Sequence, residues 1–156
     1  MKRYALFVLS LALASNSAPA QKNPKYACAE PNPAQLCNAG NTCGSPSAPC
    51  DVDIKRSPYG ASVTPQIPGA KGNALFCVRT GTQMNWKSTS KNTGFVLDMG
   101  PDSPFHRDAI IGGSDRAVAT TAQTVGCYKY SVGACISGAL NGMCANGTGE
   151  LIVVAP

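Results

Sequence analysis

From residue 50 onward, short runs of alternating apolar and polar residues are separated by turn residues. Val52 and Ile54, for example, each stand between polar neighbours, which is the period-two pattern of a half-buried β-strand. By the same pattern we expect further strands at 61–67, 74–79, 83–87, 94–99, 116–121, 126–132 and 150–154. Seven or eight strands in roughly 105 residues predict an all-β sandwich.

Pairs of turn-forming residues separate the predicted strands. They include Pro68-Gly69, Gly100-Pro101, Gly112-Gly113 and Asn146-Gly147. Residues 132–143 come closest to helical spacing, but their glycines make a helix costly. Asn146 also begins a pattern that fits an N-glycosylation acceptor, and the sequence does not tell whether the source organism glycosylates it. We favour a hairpin turn at this position, before the last strand.

The first 20 residues have the three parts of a secretory signal. A positive start at 1–3 precedes an apolar stretch at 4–14, and Ala18-Pro19-Ala20 supplies the small residues of a cleavage site. We therefore expect cleavage near Ala20 and a secreted or periplasmic protein.

Charge and composition narrow the classes of partner. The chain has 13 Lys and Arg against 8 Asp and Glu, and two of the basic residues lie in the predicted signal, so the mature protein is only slightly basic. This balance argues against a nucleic-acid partner. After the signal, no run approaches the roughly 18 apolar residues that a membrane span needs. With 13% charged residues, 16 Gly and 12 Pro, we expect one compact, turn-rich domain.

Eight cysteines predict a disulfide framework. An even number of cysteines in an exported chain is typical of disulfides, and none of the gaps between them is short enough for the paired ligands of a zinc or iron–sulfur site. They are Cys28, Cys37, Cys43, Cys50, Cys77, Cys127, Cys135 and Cys144. Eight cysteines allow on the order of a hundred pairings, and spacing alone does not choose among them.

Residues 21–49 differ in composition from the rest and predict a separate N-terminal extension. The segment is rich in Pro, Asn and Gly and has almost no β-branched or aromatic residues, so it cannot pack a core of its own. Its three cysteines, followed by Cys50, indicate that disulfides hold it. The alternative is a partly disordered leader with incidental cysteines.

The order of the strands from Asp51 to Val154 resembles that of the cupredoxin family. Residues 76–86 are similar to the apolar strand, glycine turn and aromatic-ended strand of the family's first half, and residues 126–132 to its Gly-x-Tyr-x-Tyr strand. The exposed loop after Phe105 and the apolar last strand also have counterparts. The resemblance implies a Greek-key β-sandwich of residues 50–156, a fold that often holds one copper ion.

The copper ligands of that family, two His, one Cys and an axial Met, are not matched. No His follows the strand that ends near Trp86, Val132 stands where the Cys is expected, and only Met143 could mimic the axial ligand. We therefore predict no metal site and no cofactor. The alternative is a periplasmic or extracellular copper-binding or electron-transfer protein with an atypical site. That site would use His106, Met143, Met84, Met99 and unpaired cysteines.

His106 is the single histidine of the chain, and we interpret it as an exposed loop residue beside Arg107 and Asp108. Four aspartates near the same loop make a weak calcium site conceivable, but no compact oxygen-rich loop is present. Trp86 is expected to be half-buried against the core. Tyr128 and Tyr130 share one strand face, which is expected to cover a core.

Three disulfide expectations accompany the sandwich. Cys135 and Cys144 bracket a Gly-rich loop and predict a local bridge. Cys77 and Cys127 lie in the middle of strands that would be near each other, which suggests an inter-strand bridge. By elimination, the first four cysteines would pair among themselves.

No catalytic set is recognisable, because the chain has one His, no Gly-x-Ser-x-Gly elbow and no close carboxylate pair near aromatic residues. We therefore predict a non-enzymatic, exported, cupredoxin-like module without copper. It would act as a binding or structural protein whose partner is an unknown protein, surface or small ligand.

Overall fold

The computed structural model describes residues 26–136 and 144–156, and within them the protein is an all-β sandwich of two sheets. Ten strands form these sheets. They are β1 (Thr42–Cys43), β2 (Cys50–Ser57), β3 (Gly60–Pro65), β4 (Phe76–Arg79), β5 (Gln83–Lys87), β6 (Thr93–Asp98), β7 (Ala109–Gly113), β8 (Val118–Thr121), β9 (Gly126–Ile136) and β10 (Cys144–Val154). Two short 3-10 helices, Ala27–Ala29 and Pro33–Leu36, precede them. No helix in the described part of the chain is long and apolar enough to cross a membrane.

The six-stranded sheet, which we call sheet A, has the order β1-β4-β10-β9-β6-β7. The four-stranded sheet, sheet B, has the order β3-β2-β5-β8. Both sheets are mixed, since β4 runs parallel to β1 and β10, and β2 runs parallel to β5. Strands that follow each other in the chain therefore often lie in different sheets, and the two sheets enclose one core between them.

The core lies between the two sheets and is centred on aromatic side chains. Trp86 is fully buried rather than half-buried, and its Nε1–H donates to Thr120 Oγ1 over 2.8 Å. Phe105 meets the Trp86 ring edge-on at a centroid distance of 5.6 Å. Tyr130 is buried and Tyr128 is packed against the same cluster, so the strand face that they share does cover the core. The Tyr128 hydroxyl donates to Thr124 O over 2.9 Å, which fixes the start of β9.

Two turn predictions were wrong because glycines stand inside strands. Gly112-Gly113 ends β7, where the sequence predicted an exposed loop. A side chain at Gly112 would collide with the ring of Phe95, its direct partner on β6, so the aromatic ring takes the space that a side chain would fill. Asn146-Gly147 lies within β10 and pairs with β9, so it is no hairpin turn.

All eight cysteines form disulfides, but only some pairings are as expected. The bonds are Cys28–Cys127, Cys37–Cys77, Cys43–Cys50 and Cys135–Cys144. The local bridge between Cys135 and Cys144 is present. The bridge between Cys77 and Cys127 is wrong, as is the pairing of the first four cysteines among themselves, because only Cys43–Cys50 is of that kind.

The strand order explains why Cys77 and Cys127 do not pair. Both lie directly opposite Ile152, one on each side of β10, so they are two strands apart. Two strand spacings amount to about 9–10 Å, and a disulfide needs its Cα atoms within about 7 Å. Both sulfur atoms point away from the inter-sheet core and are available to the N-terminal extension.

The extension therefore lies on the outer face of sheet A and is tied to it by two disulfides. Beneath it is a second, smaller apolar cluster in which Ala27, Cys77 and Ile152 are buried. The extension also adds β1 to the edge of the sheet, next to β4. A segment without a core of its own is thus held by bonds to its neighbour rather than within itself. Four disulfides indicate a non-cytoplasmic protein.

The outer edge of β3 is covered by the loop that follows it. Asn73 adopts a left-handed conformation, with φ at 57°, and its side chain accepts from Val63 N and donates to Ala61 O, each over 2.8 Å. Its backbone N–H donates to Val63 O. One residue of the loop therefore occupies backbone groups along this strand edge.

Candidate functional site

A groove of about 590 Å³ lies on the outer face of sheet A, beside the N-terminal extension. Three exposed side chains form its floor, because Asp98, Ser131 and Thr148 stand directly opposite one another on β6, β9 and β10. The pleat of each strand turns alternate side chains outward, and these three therefore form one row across the sheet. The row offers one carboxylate and two hydroxyl groups to a ligand.

Lys129 and Glu150 form the next row and contact the extension. They are opposite each other on β9 and β10. The Glu150 carboxylate accepts hydrogen bonds from the backbone N–H groups of Ala27 and Cys28, so it holds the first turn of the extension. The Lys129 Nζ lies 5.7 Å from the centroid of the Tyr26 ring. This wall of the groove combines an ammonium group, a carboxylate and an aromatic ring.

Tyr130 also borders the groove, although its side chain belongs to the core. Its ring lies over Gly149, its partner on β10, in the space that a side chain at that glycine would need. Its hydroxyl has no hydrogen-bond partner among the described residues. Burial, together with the nearby Glu150 carboxylate, raises the pKa of Tyr130 well above its ordinary value. The hydroxyl therefore stays protonated at any physiological pH.

A second depression of about 700 Å³ continues the groove along the sheet. The two share Asp98, Ser131 and Thr148, so they form one trough. The floor of the second depression is the row Val96, Gly133 and Asn146, in which Val96 is 43% exposed. The trough thus passes from a charged end beside the extension to a more apolar end.

Sheet B carries a different polar site on its outer face. The Asp53 carboxylate accepts from Thr89 N over 2.9 Å and from Thr89 Oγ1 over 2.7 Å, and Lys55 Nζ lies 3.0 Å away. Burial by itself raises the pKa of Asp53, but these hydrogen bonds and the lysine charge act against it and hold the pKa below its ordinary value of 3.8. Both oxygens of this carboxylate accept from Thr89 in the loop after β5, and one of them also pairs with Lys55 on β2, so the site is structural.

The described residues of the alternative copper site differ in their burial. His106 lies exposed in the loop between β6 and β7, as do Arg107 and Asp108. Met84 is fully buried in the core, and Met99 is packed against the core. Met143 lies outside the described residues, as does the predicted signal at 1–20.

The described residues contain no group of three or more His, Cys, Asp and Glu side chains that could hold a metal ion. The cysteines supply no thiolate ligand, since all eight are in disulfides.

Sequence reasoning missed the trough. Its floor comes from three strands that are far apart in the chain, and its wall comes from the extension, which was expected to be linked within itself. The sequence placed Tyr128 and Tyr130 on the core face of this strand, and strand alternation puts Lys129 and Ser131 on the opposite face. Which strands flank that face depends on the strand order, and the local pattern does not contain it.

Comparisons with known proteins identify no family. No protein-family model matches the sequence, and no curated protein matches it. Among solved structures, the chain is similar to an oxidized mutant form of amicyanin, with a TM-score of 0.37 and 13% sequence identity. That similarity covers 74% of this chain and 95% of the amicyanin chain.

Proposed function

We propose that the protein is a secreted or periplasmic binding module with a cupredoxin-like sandwich, without catalytic activity and without a bound cofactor. The observation that supports this proposal is the trough on the outer face of sheet A. It places two carboxylates, an ammonium group, two hydroxyl groups and an aromatic ring around one cavity, and the size of this cavity lies in the range of small-ligand sites.

The trough is rigid, which favours binding. The Cys28–Cys127 disulfide ties the segment that carries Tyr26 to β9, and Glu150 fixes the backbone of the same segment. The floor belongs to the central strands of a six-stranded sheet. A site whose groups are already in place loses little conformational freedom when a ligand binds.

The test compares two threonine-to-tryptophan variants. Thr148→Trp fills the trough, and Thr121→Trp places the same bulky side chain at an exposed strand position on sheet B. A library of amino acids, short peptides, saccharides and organic acids is screened for compounds that raise the melting temperature of the wild type. We expect at least one chemical class to raise the melting temperature of the wild type and of Thr121→Trp, but not that of Thr148→Trp.

Two results would contradict the proposal. If no compound class distinguishes Thr148→Trp from Thr121→Trp, the trough is not a binding site. The second result would come from a native mass spectrum, recorded under non-reducing conditions after exposure of the protein to copper. Stoichiometric copper that survives buffer exchange would contradict the absence of a cofactor and would direct attention to His106 and Met143.

A further inference from the structure

We propose that the trough binds a linear, neutral oligosaccharide. This inference rests on the proposed function, because it names the class of ligand for the same site. Three features of the trough support the inference: its hydrogen-bonding groups, its balance of charge and its shape.

The hydrogen-bonding groups suit a ligand that carries many hydroxyls. Each sugar hydroxyl both donates and accepts a hydrogen bond. Asp98 only accepts, Lys129 only donates, and Ser131 and Thr148 do both. These four side chains are exposed and stand on adjacent strands, about 4.8 Å apart from one strand to the next. A ligand with closely spaced hydroxyls can therefore meet several of them at once.

The aromatic ring at the wall supplies the second element of sugar recognition. The Tyr26 side chain is 55% exposed and lies at the edge of the trough. The C–H groups on one face of a sugar ring carry slight positive charge and pack against the negative face of an aromatic ring. The Lys129 Nζ lies 5.7 Å from the centroid of this ring, so a sugar that packs against the exposed part of the ring has a hydrogen-bond donor beside it.

The balance of charge argues against ionic ligands. The trough contains one ammonium group, from Lys129, and two carboxylates, from Asp98 and Glu150. A phosphate, sulfate or uronate group would meet the Asp98 carboxylate, and a strongly cationic ligand would meet the Lys129 ammonium group. Because Glu150 is already engaged by the extension, the charges available to a ligand are nearly matched. A neutral polar ligand avoids the cost of removing water from an unpaired charge.

The shape of the trough favours a chain of sugars over a single sugar. Two depressions of about 590 and 700 Å³ adjoin along the sheet and share their floor residues. The second has Val96 and Gly133 in its floor, so its surface is low and partly apolar. A linear oligosaccharide can place its hydroxyls on the polar row and the C–H face of a further sugar over Val96.

The experiment uses neutral and charged hexasaccharides as probes. The neutral set comprises the β-1,4-linked hexamers of glucose and of N-acetylglucosamine and the α-1,4-linked hexamer of glucose. The charged set comprises the hexamer of galacturonic acid and the fully deacetylated hexamer of glucosamine. Binding to the full mature chain is followed by the amide chemical shifts of Lys129, Ser131 and Thr148.

We expect at least one neutral hexamer to shift these amides, and to bind at least tenfold more tightly than either charged hexamer. Thr148→Trp should abolish the shifts and Thr121→Trp should leave them unchanged. Asp98→Ala, an exposed substitution outside the core, should weaken the same hexamer about five- to tenfold. It keeps the test valid if Thr148→Trp fails to fold.

The outcomes separate this inference from the proposed function. If no neutral hexamer binds, or if a charged hexamer binds more tightly at the same residues, the inference is overturned. In that case, a peptide, amino acid or organic acid that stabilises the wild type but not Thr148→Trp still supports a binding module. If neither the hexamers nor the library distinguishes the two variants, both proposals fail together.

Discussion

The outer faces of the two sheets are covered in different ways. On sheet A, a segment with almost no β-branched or aromatic side chains is held by the Cys28–Cys127 and Cys37–Cys77 disulfides over a small apolar cluster. On sheet B, the loop after β5 is held by the buried carboxylate of Asp53. The comparison shows that a carboxylate holds the backbone of the covering segment on each sheet, Glu150 on sheet A and Asp53 on sheet B, and that the longer segment on sheet A has two disulfides in addition.

The largest effect is expected from loss of the disulfide that spans most of the chain. Cys28 and Cys127 are 99 residues apart, whereas Cys135 and Cys144 are 9 apart. The chain-entropy relation predicts that the Cys28→Ser, Cys127→Ser double variant loses about 4–5 kcal/mol in the free energy of unfolding. The Cys135→Ser, Cys144→Ser control should lose about 2–3 kcal/mol. Guanidinium unfolding under non-reducing conditions measures both. Equal costs would show that loop closure is not how the extension stabilises sheet A.

The next effect tests the core that both sheets share. Trp86→Ala removes the largest buried side chain and leaves the Thr120 hydroxyl without its donor, so we expect a loss of about 3–5 kcal/mol in the free energy of unfolding. Trp86→Phe keeps much of the ring and should lose about half as much. Guanidinium unfolding measures both variants, and a loss for Trp86→Ala no larger than that for Trp86→Phe would show that the volume of the buried ring contributes little to the shared core.

The third effect concerns sheet B and depends on pH. Asp53→Asn removes a charge that accepts two hydrogen bonds from Thr89, and we expect a loss of about 1–3 kcal/mol at neutral pH. Because the folded pKa of Asp53 lies below 3.8, the wild type keeps this contribution above pH 3.8 and loses it as the pH falls through the folded value. The difference between wild type and variant should therefore shrink in acid.

The control for Asp53 is Asp51→Asn, an exposed carboxylate on the same strand. Chemical unfolding at several pH values, from neutral to strongly acidic, measures the difference in the free energy of unfolding between the wild type and each variant. A difference for Asp53→Asn that stays constant with pH would mean that its charge does not hold the loop.

The smallest effect is expected where the chain passes from sheet B to sheet A. The Tyr128 hydroxyl donates to the backbone oxygen of Thr124, which lies in the connection between β8 and β9. We therefore expect Tyr128→Phe to lower the free energy of unfolding by about 0.5–1.5 kcal/mol. Tyr59→Phe is the control, because Tyr59 is 99% exposed. Thermal unfolding of the two variants side by side measures the difference. If Tyr59→Phe loses as much stability as Tyr128→Phe, the hydrogen bond does not stabilise the connection between β8 and β9.

Much of the sandwich could be predicted from local patterns, and the remainder depends on contacts between distant residues. Alternation located β2, β3, β5 and β6 because one face of each strand is buried. It missed β7, since Gly112 normally indicates a turn and the ring of Phe95 that covers it comes from another strand. The disulfides of the extension depend on which cysteines face outward and on the strand between them, and no spacing in the sequence records that.

The loop residue at the edge of β3 has a consequence for the protein at high concentration. An uncovered strand edge is a template on which a second chain can add a strand. Asn73 already uses the backbone groups of Ala61 and Val63 at this edge. The side chain and backbone N–H of Asn73 thus occupy this stretch of the β3 edge, so a second chain cannot add a strand there.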